Sequence, residues 1–187
     1  MTFKNLILLI SCLSMAACSS MPIAYITNQG SDTISVVNIK KKKVIQEIPV
    51  GKGPVGIAIS LKQSYVFITN ANDGSVNVLD LHQNQIIKTI KVGGTPVGIT
   101  KSTNEDYIYV SDWFNSEILM VEIKSLAVIK KMSTGKSPSG MMCDTKGKYL
   151  FISNRDENTL EIYSQSVEDF EKVPTKQCAD YLISAMT

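Results

Sequence analysis

Short runs of apolar residues recur along this chain at a fixed interval. Four stretches are alike in pattern, and each begins 42 residues after the one before it: 24–39, 66–81, 108–123 and 150–165. The segments between them carry markers at the same interval: Gly51, Gly93 and Gly135; Pro54, Pro96 and Pro138; Gly56, Gly98 and Gly140. Several sets of positions that keep one spacing without a slip indicate that the chain is built from repeats.

Each complete repeat predicts four β-strands, because its apolar runs are rich in Val, Ile, Tyr and Phe and are bounded by Gly, Asn, Asp or Ser. In the repeat after Gly51 the predicted strands are Val55–Ser60, Tyr65–Asn70, Ser75–Leu81 and Gln85–Val92. The second strand is apolar on both faces, which favours a sheet covered on both sides. Helical repeats of similar length fit poorly, because β-branched residues and a Gly-x-x-Pro-x-Gly cluster recur. We therefore expect an all-β fold, a partial β-propeller of four-stranded antiparallel blades.

The start of each stretch points to a known family. The sequences YITN, FITN, YVSD and FISN occupy residues 25–28, 67–70, 109–112 and 151–154, and each is followed by a turn and an apolar strand. This pattern resembles the YVTN family of β-propeller repeats over about residues 23–165. The resemblance implies a ring of four-stranded blades in a secreted or surface protein. Similar repeats occur in propeller lactonases and in propeller subunits of quinone or haem enzymes, so the resemblance implies a scaffold rather than one chemistry.

The number of predicted strands does not complete a ring. Residues 23–165 supply 14 strands, or about 3.5 blades, whereas propellers have roughly 4–8 blades. The repeat ends after Ser164, since Glu171, Lys172 and Pro174 stand where a fourth strand is due, and residues 166–187 form a non-repeat tail. Three interpretations remain: two chains that join into a ring, a truncated propeller, or a poorly closed four-bladed one. We favour truncation or self-association over a stable monomer, because repeat units need covered faces.

The first residues resemble a bacterial lipoprotein signal peptide. Lys4 precedes a short apolar run, and Met15-Ala16-Ala17-Cys18 resembles a lipobox. The resemblance implies cleavage before Cys18 and attachment of acyl chains such as palmitate, so residues 1–17 are the predicted signal and 18–22 a lipidated start and linker. A plain secretory signal cut near Ala17 is the alternative. Ser19 favours the outer membrane, at its periplasmic face, over the inner membrane.

Composition and charge exclude some classes of function. The chain is 44% hydrophobic and 19% charged, with a formal net charge of +2, so we expect a folded core and no nucleic-acid partner. The single histidine, His82, rules out a multi-histidine metal centre. After loss of Cys12 and lipidation of Cys18, Cys143 and Cys178 remain; they form a disulfide, or Cys143 is an inert buried thiol. We expect no metal and no cofactor.

Two sets of loop residues are candidates for a special role. Asn28, Asn70, Asp112 and Asn154 share one repeat position, and we expect their side chains to bond backbone N–H groups two residues on, as in Asx turns. Trp113, Phe114 and Arg155 depart from the repeat in the turns of the third and fourth units, which makes them a possible ligand or partner surface. The alternative is packing on the neighbouring blade.

No catalytic constellation is visible in the sequence. Gly51-Lys52-Gly53-Pro54-Val55-Gly56 fits G-x-G-x-x-G, but a strand follows it instead of the helix that a dinucleotide site needs. We therefore expect a lipid-anchored, extracytoplasmic, non-enzymatic propeller scaffold for binding or assembly. The alternative is a fragment or subunit of a periplasmic propeller enzyme, lactonase-like or quinoprotein-associated. The sequence does not identify the ligand.

Overall fold

Short antiparallel strands make up most of the chain that the computed structural model describes, residues 22–165. The 14 strands of this part are β1 Ile23–Asn28, β2 Thr33–Asn38, β3 Lys43–Pro49, β4 Pro54–Ser60, β5 Tyr65–Asn70, β6 Ser75–Asp80, β7 Gln85–Lys91, β8 Pro96–Lys101, β9 Tyr107–Asp112, β10 Glu117–Glu122, β11 Ala127–Ser133, β12 Pro138–Cys143, β13 Tyr149–Asn154 and β14 Thr159–Ser164. One turn of 3-10 helix, Arg155–Glu157, precedes β14. Within residues 22–165 no helix has the length and apolar character to cross a bilayer.

The strands form four sheets, which we call blades I to IV. Blade I contains β1 to β3, blade II β4 to β7, blade III β8 to β11, and blade IV β12 to β14. The first strands of blades II, III and IV lie side by side along the inside of an arc. The predicted all-β partial propeller is confirmed, and the predicted boundaries in blade II differ from the observed ones by one residue at most. Each incomplete repeat forms a three-stranded sheet of its own, so the arc has four sheets.

Apolar side chains fill the three spaces between consecutive blades. Three buried clusters do this, between blades I and II (Ile34, Val36, Val66, Ile68), between II and III (Phe67, Val76, Val110, Leu119), and between III and IV (Tyr109, Ile118, Leu150, Ile152). Phe67 and Ile68 are neighbours in β5 and point into different clusters, as its two apolar faces predict. A large apolar side chain contributes about 1.5–3 kcal/mol when fully buried, so contacts between blades dominate the stability of the arc.

The repeated glycines are required where the innermost strands meet. A Cβ atom on Gly56 would lie 2.5 Å from the carbonyl oxygen of Val97, and one on Gly98 would collide with the carbonyl oxygen of Ser139. The hydroxyl of Thr69 donates a hydrogen bond of 2.8 Å to the Val97 carbonyl oxygen and so joins blade II to blade III. Gly56 and Gly98 are therefore needed because the backbones of neighbouring blades touch at these repeated positions.

Glu105 joins blades II and III on the rim that carries the β4–β5 and β8–β9 turns. Its carboxylate accepts hydrogen bonds from the Ser60 hydroxyl (2.8 Å), the Lys62 backbone N–H (2.8 Å) and Lys101 Nζ (2.6 Å). Burial by itself would raise the pKa of Glu105, but these hydrogen bonds lower it to about 2. Glu105 is therefore charged at neutral pH and stabilises the contact between the two blades.

Several of the predictions fall outside residues 22–165. They are the signal peptide at 1–17, the lipidated Cys18 with most of the linker at 18–22, the tail at 166–187, and the pairing of Cys178 with Cys143. These remain predictions.

Candidate functional site

Trp113 and Arg155 meet on the rim where the β9–β10 and β13–β14 turns lie. The Arg155 guanidinium carbon is 5.5 Å from the centre of the Trp113 ring, in cation–π geometry. Phe114, next to Trp113, is 78% exposed. The two turns belong to neighbouring blades, so the structure brings together two residues that are 42 positions apart in the sequence. We call Trp113, Phe114 and Arg155 the rim patch.

The turn that carries Trp113 is tied to the loop between blades II and III. The Trp113 backbone N–H donates to the Thr95 carbonyl oxygen (3.0 Å), and the Asp112 carboxylate accepts hydrogen bonds from the Thr95 backbone N–H (3.0 Å) and Asn115 Nδ2 (2.7 Å). Gly94 has a φ of +56°, and a Cβ atom there would collide with the Asp112 carboxylate. These contacts fix the backbone of Trp113 relative to the loop before blade III.

Arg155 is held through its backbone by the loop between blades III and IV. Its N–H donates to the Ser137 carbonyl oxygen (3.1 Å), and the Ser137 hydroxyl donates to the Asp156 carboxylate (2.6 Å). The turn ends at Asn158, which adopts the left-handed conformation with a φ of +54°. None of the ion pairs within residues 22–165 involves Arg155. A stacked guanidinium keeps its in-plane N–H donors available for a carboxylate or phosphate, so the rim patch suits an anionic group next to an apolar one.

The repeated Asn and Asp side chains bond differently from the prediction. Asn28, Asn70 and Asn154 end their strands and donate through Nδ2 to the hydroxyl of the facing residue five positions on, at 3.1, 2.9 and 3.2 Å. The predicted bond to an N–H two residues on is therefore wrong for these three, because their side chains lie across the hairpin ladder. Asp112 also reaches Thr95 in a neighbouring loop. These side chains therefore hold strand ends to the facing strand or to a neighbouring loop at the rim.

One polar atom in this set has no partner. Asn70 Oδ1 is buried and forms no hydrogen bond among the described residues. The corresponding oxygen of Asn154 lies 3.2 Å from the Thr134 hydroxyl, which also reaches Glu161 Oε2 at 2.8 Å. Val50 stands at the same distance before Asn70 in the sequence as Thr134 does before Asn154. Because valine has no hydroxyl, Asn70 Oδ1 has no counterpart of the Thr134 hydroxyl.

The two ends of the arc expose positions that are buried inside it. Ile26 in β1 is 52% exposed, whereas Ile68, one repeat later, is fully buried. Leu160 in β14 is 47% exposed, whereas Ile118, one repeat earlier, is fully buried. The sequence predicts two uncovered blade faces, and these residues mark them. We call the face of blade I with Ile26 the leading face and the face of blade IV with Leu160 the trailing face.

An apolar groove of about 320 Å³ lies on the trailing face. Met142, Phe151 and Leu160 line it, and Met142 is 62% exposed. Phe151 occupies the repeat position of Phe67 and Tyr109, which the next blade covers in the interior of the arc. The groove therefore occupies the position where, in the interior of the arc, the next blade packs.

The remaining candidates do not converge on a site. His82 is exposed in the β6–β7 turn, where its backbone N–H bonds Asp80. Cys143 lies in β12 as predicted, its Sγ accepts a hydrogen bond from Gln165 Nε2 (2.8 Å), and burial raises the pKa of its thiol to about 11. Between residues 22 and 165 no group of three His, Cys, Asp or Glu side chains has metal-binding geometry.

Comparison with known proteins identifies a family. Residues 19–148 match the family described as the cytochrome D1 heme domain, whose members are eight-bladed β-propellers. No curated protein sequence matches the chain significantly.

Solved structures support the same fold. Hydrazine synthase from Kuenenia stuttgartiensis is 24% identical with a TM-score of 0.73, and the match covers 81% of this chain and 45% of that one. A candidate 6-phosphogluconolactonase from Bacteroides fragilis is 19% identical, with a TM-score of 0.71 and coverage of 81% and 49%. A protein of unknown function from Desulfotomaculum acetoxidans is 18% identical, with a TM-score of 0.65 and coverage of 75% and 47%. The chain thus spans about half the length of these similar structures.

Proposed function

The chain belongs to the cytochrome D1 heme domain family, and we propose that it is a lipid-anchored, extracytoplasmic propeller segment that acts as a non-enzymatic assembly scaffold. One observation carries the assembly role, namely that Ile26 and Leu160 are half exposed at positions that are buried in the interior of the arc. Exposed apolar faces of this kind mark interaction sites. The rim patch, with its stacked Arg155, provides a second contact surface on the same scaffold.

The lipid anchor is supported by the lipobox-like sequence that ends at Cys18. Two or more acyl chains would hold the protein firmly at a membrane, whereas one chain gives marginal binding. The test is labelling of expressing cells with a palmitate analogue, followed by membrane fractionation. We expect label on the wild-type protein and none on a Cys18→Ser variant. Release of unlabelled wild-type protein into the soluble periplasm would refute the anchor.

The described residues do not fit a haem. Haem iron takes a His, Cys, Met or Tyr ligand. His82 lies in an exposed turn at the outer side of blade II, and the Cys143 thiol is held by Gln165. Met120, Met132 and Met141 lie in or against the core between blades III and IV, and Met142 lies on the trailing face. Most of the described tyrosines pack in or against the clusters between blades, namely Tyr25, Tyr65, Tyr107, Tyr109 and Tyr163, and the ring of Tyr149 lies beneath Lys148. We therefore derive no haem chemistry from residues 22–165, although the family is named for a haem domain.

The assembly role is tested by placing a charge on the trailing face. Leu160→Lys adds a charge where a neighbouring blade would pack, and Leu61→Lys is the matched control, because Leu61 is 75% exposed in the β4–β5 turn. We expect the detergent-solubilised wild-type chain and the Leu61 variant to have the native mass of a complex. The Leu160 variant should have the mass of a folded monomer. A wild-type chain that is a stable, folded monomer would overturn the proposal.

Family membership also favours a second candidate, a segment of a propeller enzyme. The test is hydrolysis of lactones, and reduction of a redox dye, by the purified chain. The control carries Trp113→Ala and Arg155→Ala, which remove the rim patch. Turnover that exceeds the control would replace the non-enzymatic role by an enzymatic one, and equal background rates for both proteins support the scaffold.

A further inference from the structure

We propose that a second copy of this chain covers both open faces, so that two copies join head to tail into a closed ring of eight sheets. This proposal rests on the assembly role proposed above and names its partner. The trailing face of each copy packs on the leading face of the other. Because the two faces differ, one contact is heterologous, and two such contacts related by a twofold axis close the ring.

The packing inside the arc shows how the two faces would pair. Each buried cluster contains a residue of β2, β6 or β10 and a residue of the next blade's β5, β9 or β13 that stands 34 positions later in the sequence. The three pairs are Ile34 with Ile68, Val76 with Val110, and Ile118 with Ile152. Leu160 stands one repeat after Ile118 and so continues the first members of these pairs. Ile26 stands one repeat before Ile68 and so continues the second members in the other direction. We therefore pair Leu160 of one copy with Ile26 of the other.

The number of sheets supports two copies over other numbers. The described residues form four sheets, and the family consists of eight-bladed propellers. The chain spans 45% to 49% of the length of the similar solved structures. Two copies therefore supply the number of sheets that the family uses. By strand number alone, two copies of the 14 described strands would make seven four-stranded blades, but the incomplete repeats form sheets of their own, so two copies supply eight sheets.

A hydroxyl on the trailing face is also placed for a neighbouring strand. Thr27 and Thr69 each donate to a carbonyl oxygen of the innermost strand of the next blade, at 3.0 and 2.8 Å. Ser153 holds the same repeat position in blade IV and is exposed. Its hydroxyl bonds only within its own sheet, to Gly140, and lies 3.5 Å from the Ser139 hydroxyl. The trailing face therefore carries both an apolar groove and a hydroxyl at the repeat position from which Thr27 and Thr69 bond the next blade.

Cysteine cross-linking tests the pairing directly. Ile26→Cys and Leu160→Cys are made separately in a Cys143→Ser, Cys178→Ser background whose circular dichroism matches the wild type. The two variants are co-expressed with different tags and treated with a short bismaleimide. We expect a cross-link between the two variants and none when either variant is expressed alone. A chain that carries both new cysteines should give a covalent dimer and no longer ladder.

The other outcomes are equally informative. Cross-linking of Leu160→Cys to itself would show like faces together and overturn the head-to-tail ring, and a ladder of multimers would overturn its closure. A complex that contains only one copy of this chain with another polypeptide would refute self-pairing but keep the scaffold. A folded monomer, without co-purification of two differently tagged wild-type copies, would refute both. Cross-linking confined to the two variants together, with co-purification of tagged wild-type copies, supports the ring.

Discussion

The unpaired Asn70 oxygen leads to a prediction about stability. Val50, Val92 and Thr134 occupy one repeat position. Each donates its backbone N–H to the carbonyl oxygen of the residue just before β2, β6 or β10, at 2.9 to 3.0 Å. Since the three backbones are alike, Val50→Thr should place a hydroxyl near Asn70 Oδ1 as Thr134 does near Asn154 Oδ1. The substitution exchanges a methyl for a hydroxyl of nearly equal volume, so it should need no repacking.

The expected gain follows from two opposing effects. A buried acceptor without a donor costs about 1–3 kcal/mol. The methyl that is lost contributes about 0.8 kcal/mol when buried, and less here because Val50 is only partly buried. We therefore expect Val50→Thr to raise the free energy of unfolding by about 1 kcal/mol. For a chain of this size, that corresponds to a rise in Tm of about 2–4 °C.

Urea denaturation and thermal unfolding measure this effect, and two further variants make it specific. In an Asn70→Ala background, Val50→Thr should give no gain, because its acceptor is gone; the difference is the coupling energy of the pair. Thr134→Val should destabilise the protein by about 1–2 kcal/mol, since it removes the hydroxyl that bonds Glu161 Oε2 and lies within hydrogen-bond distance of Asn154 Oδ1. A neutral or destabilising Val50→Thr, with no coupling to Asn70, would refute the reasoning.

Three other substitutions test other parts of the structure. Glu105→Gln should cost about 1–2 kcal/mol at pH 7 in urea denaturation. The pKa of Glu105 is lower in the folded protein, so the stabilising effect of its charge is complete above about pH 4.5 and is lost as the pH falls to about 2. The cost of Glu105→Gln should therefore shrink between pH 4.5 and pH 2. A cost that stays constant over this range would contradict the assigned hydrogen bonds. Gly98→Ala should lower the free energy of unfolding by about 1–3 kcal/mol, because its Cβ meets backbone of the next blade, whereas Gly30→Ala, which meets nothing within 4 Å, should be close to neutral. Arg155→Gln should make Trp113 fluorescence more sensitive to acrylamide, since it removes the stacked guanidinium, and unchanged quenching would show that the two side chains do not stack in solution.

The repeat in the sequence is enough to predict the strands and the covered faces. Apolar residues on both sides of β5 predict that Phe67 and Ile68 face different neighbours, and both lie in buried clusters. The sequence shows that glycine recurs at the repeat position of Gly98. The reason, the close approach of the Ser139 carbonyl oxygen, is visible only in the structure. Periodicity works here because each blade repeats the same contacts.

Residues that break the repeat are harder to interpret from sequence. Glu105 has no acidic counterpart one repeat earlier or later, so no pattern indicates its contact with Ser60 and Lys62. Trp113 and Arg155 stand out as departures from the repeat, but their stacking depends on the adjacency of two turns. The Asx-turn prediction failed because a strand-end amide can bond either along the chain or across the hairpin, and the choice depends on the facing residue.

The energetics of the arc favour closed pairs over open chains of copies. Blades I and IV lie at opposite ends of the described arc, so one copy cannot cover Ile26 with its own Leu160. A first contact between two copies buries one leading and one trailing face and loses the freedom of one molecule. The second contact then forms within the same complex and buries the other two faces without a further association step. An open filament buries the same area per contact, but each contact requires another copy. Closed pairs should therefore predominate, and dilution should dissociate them in one step to monomers.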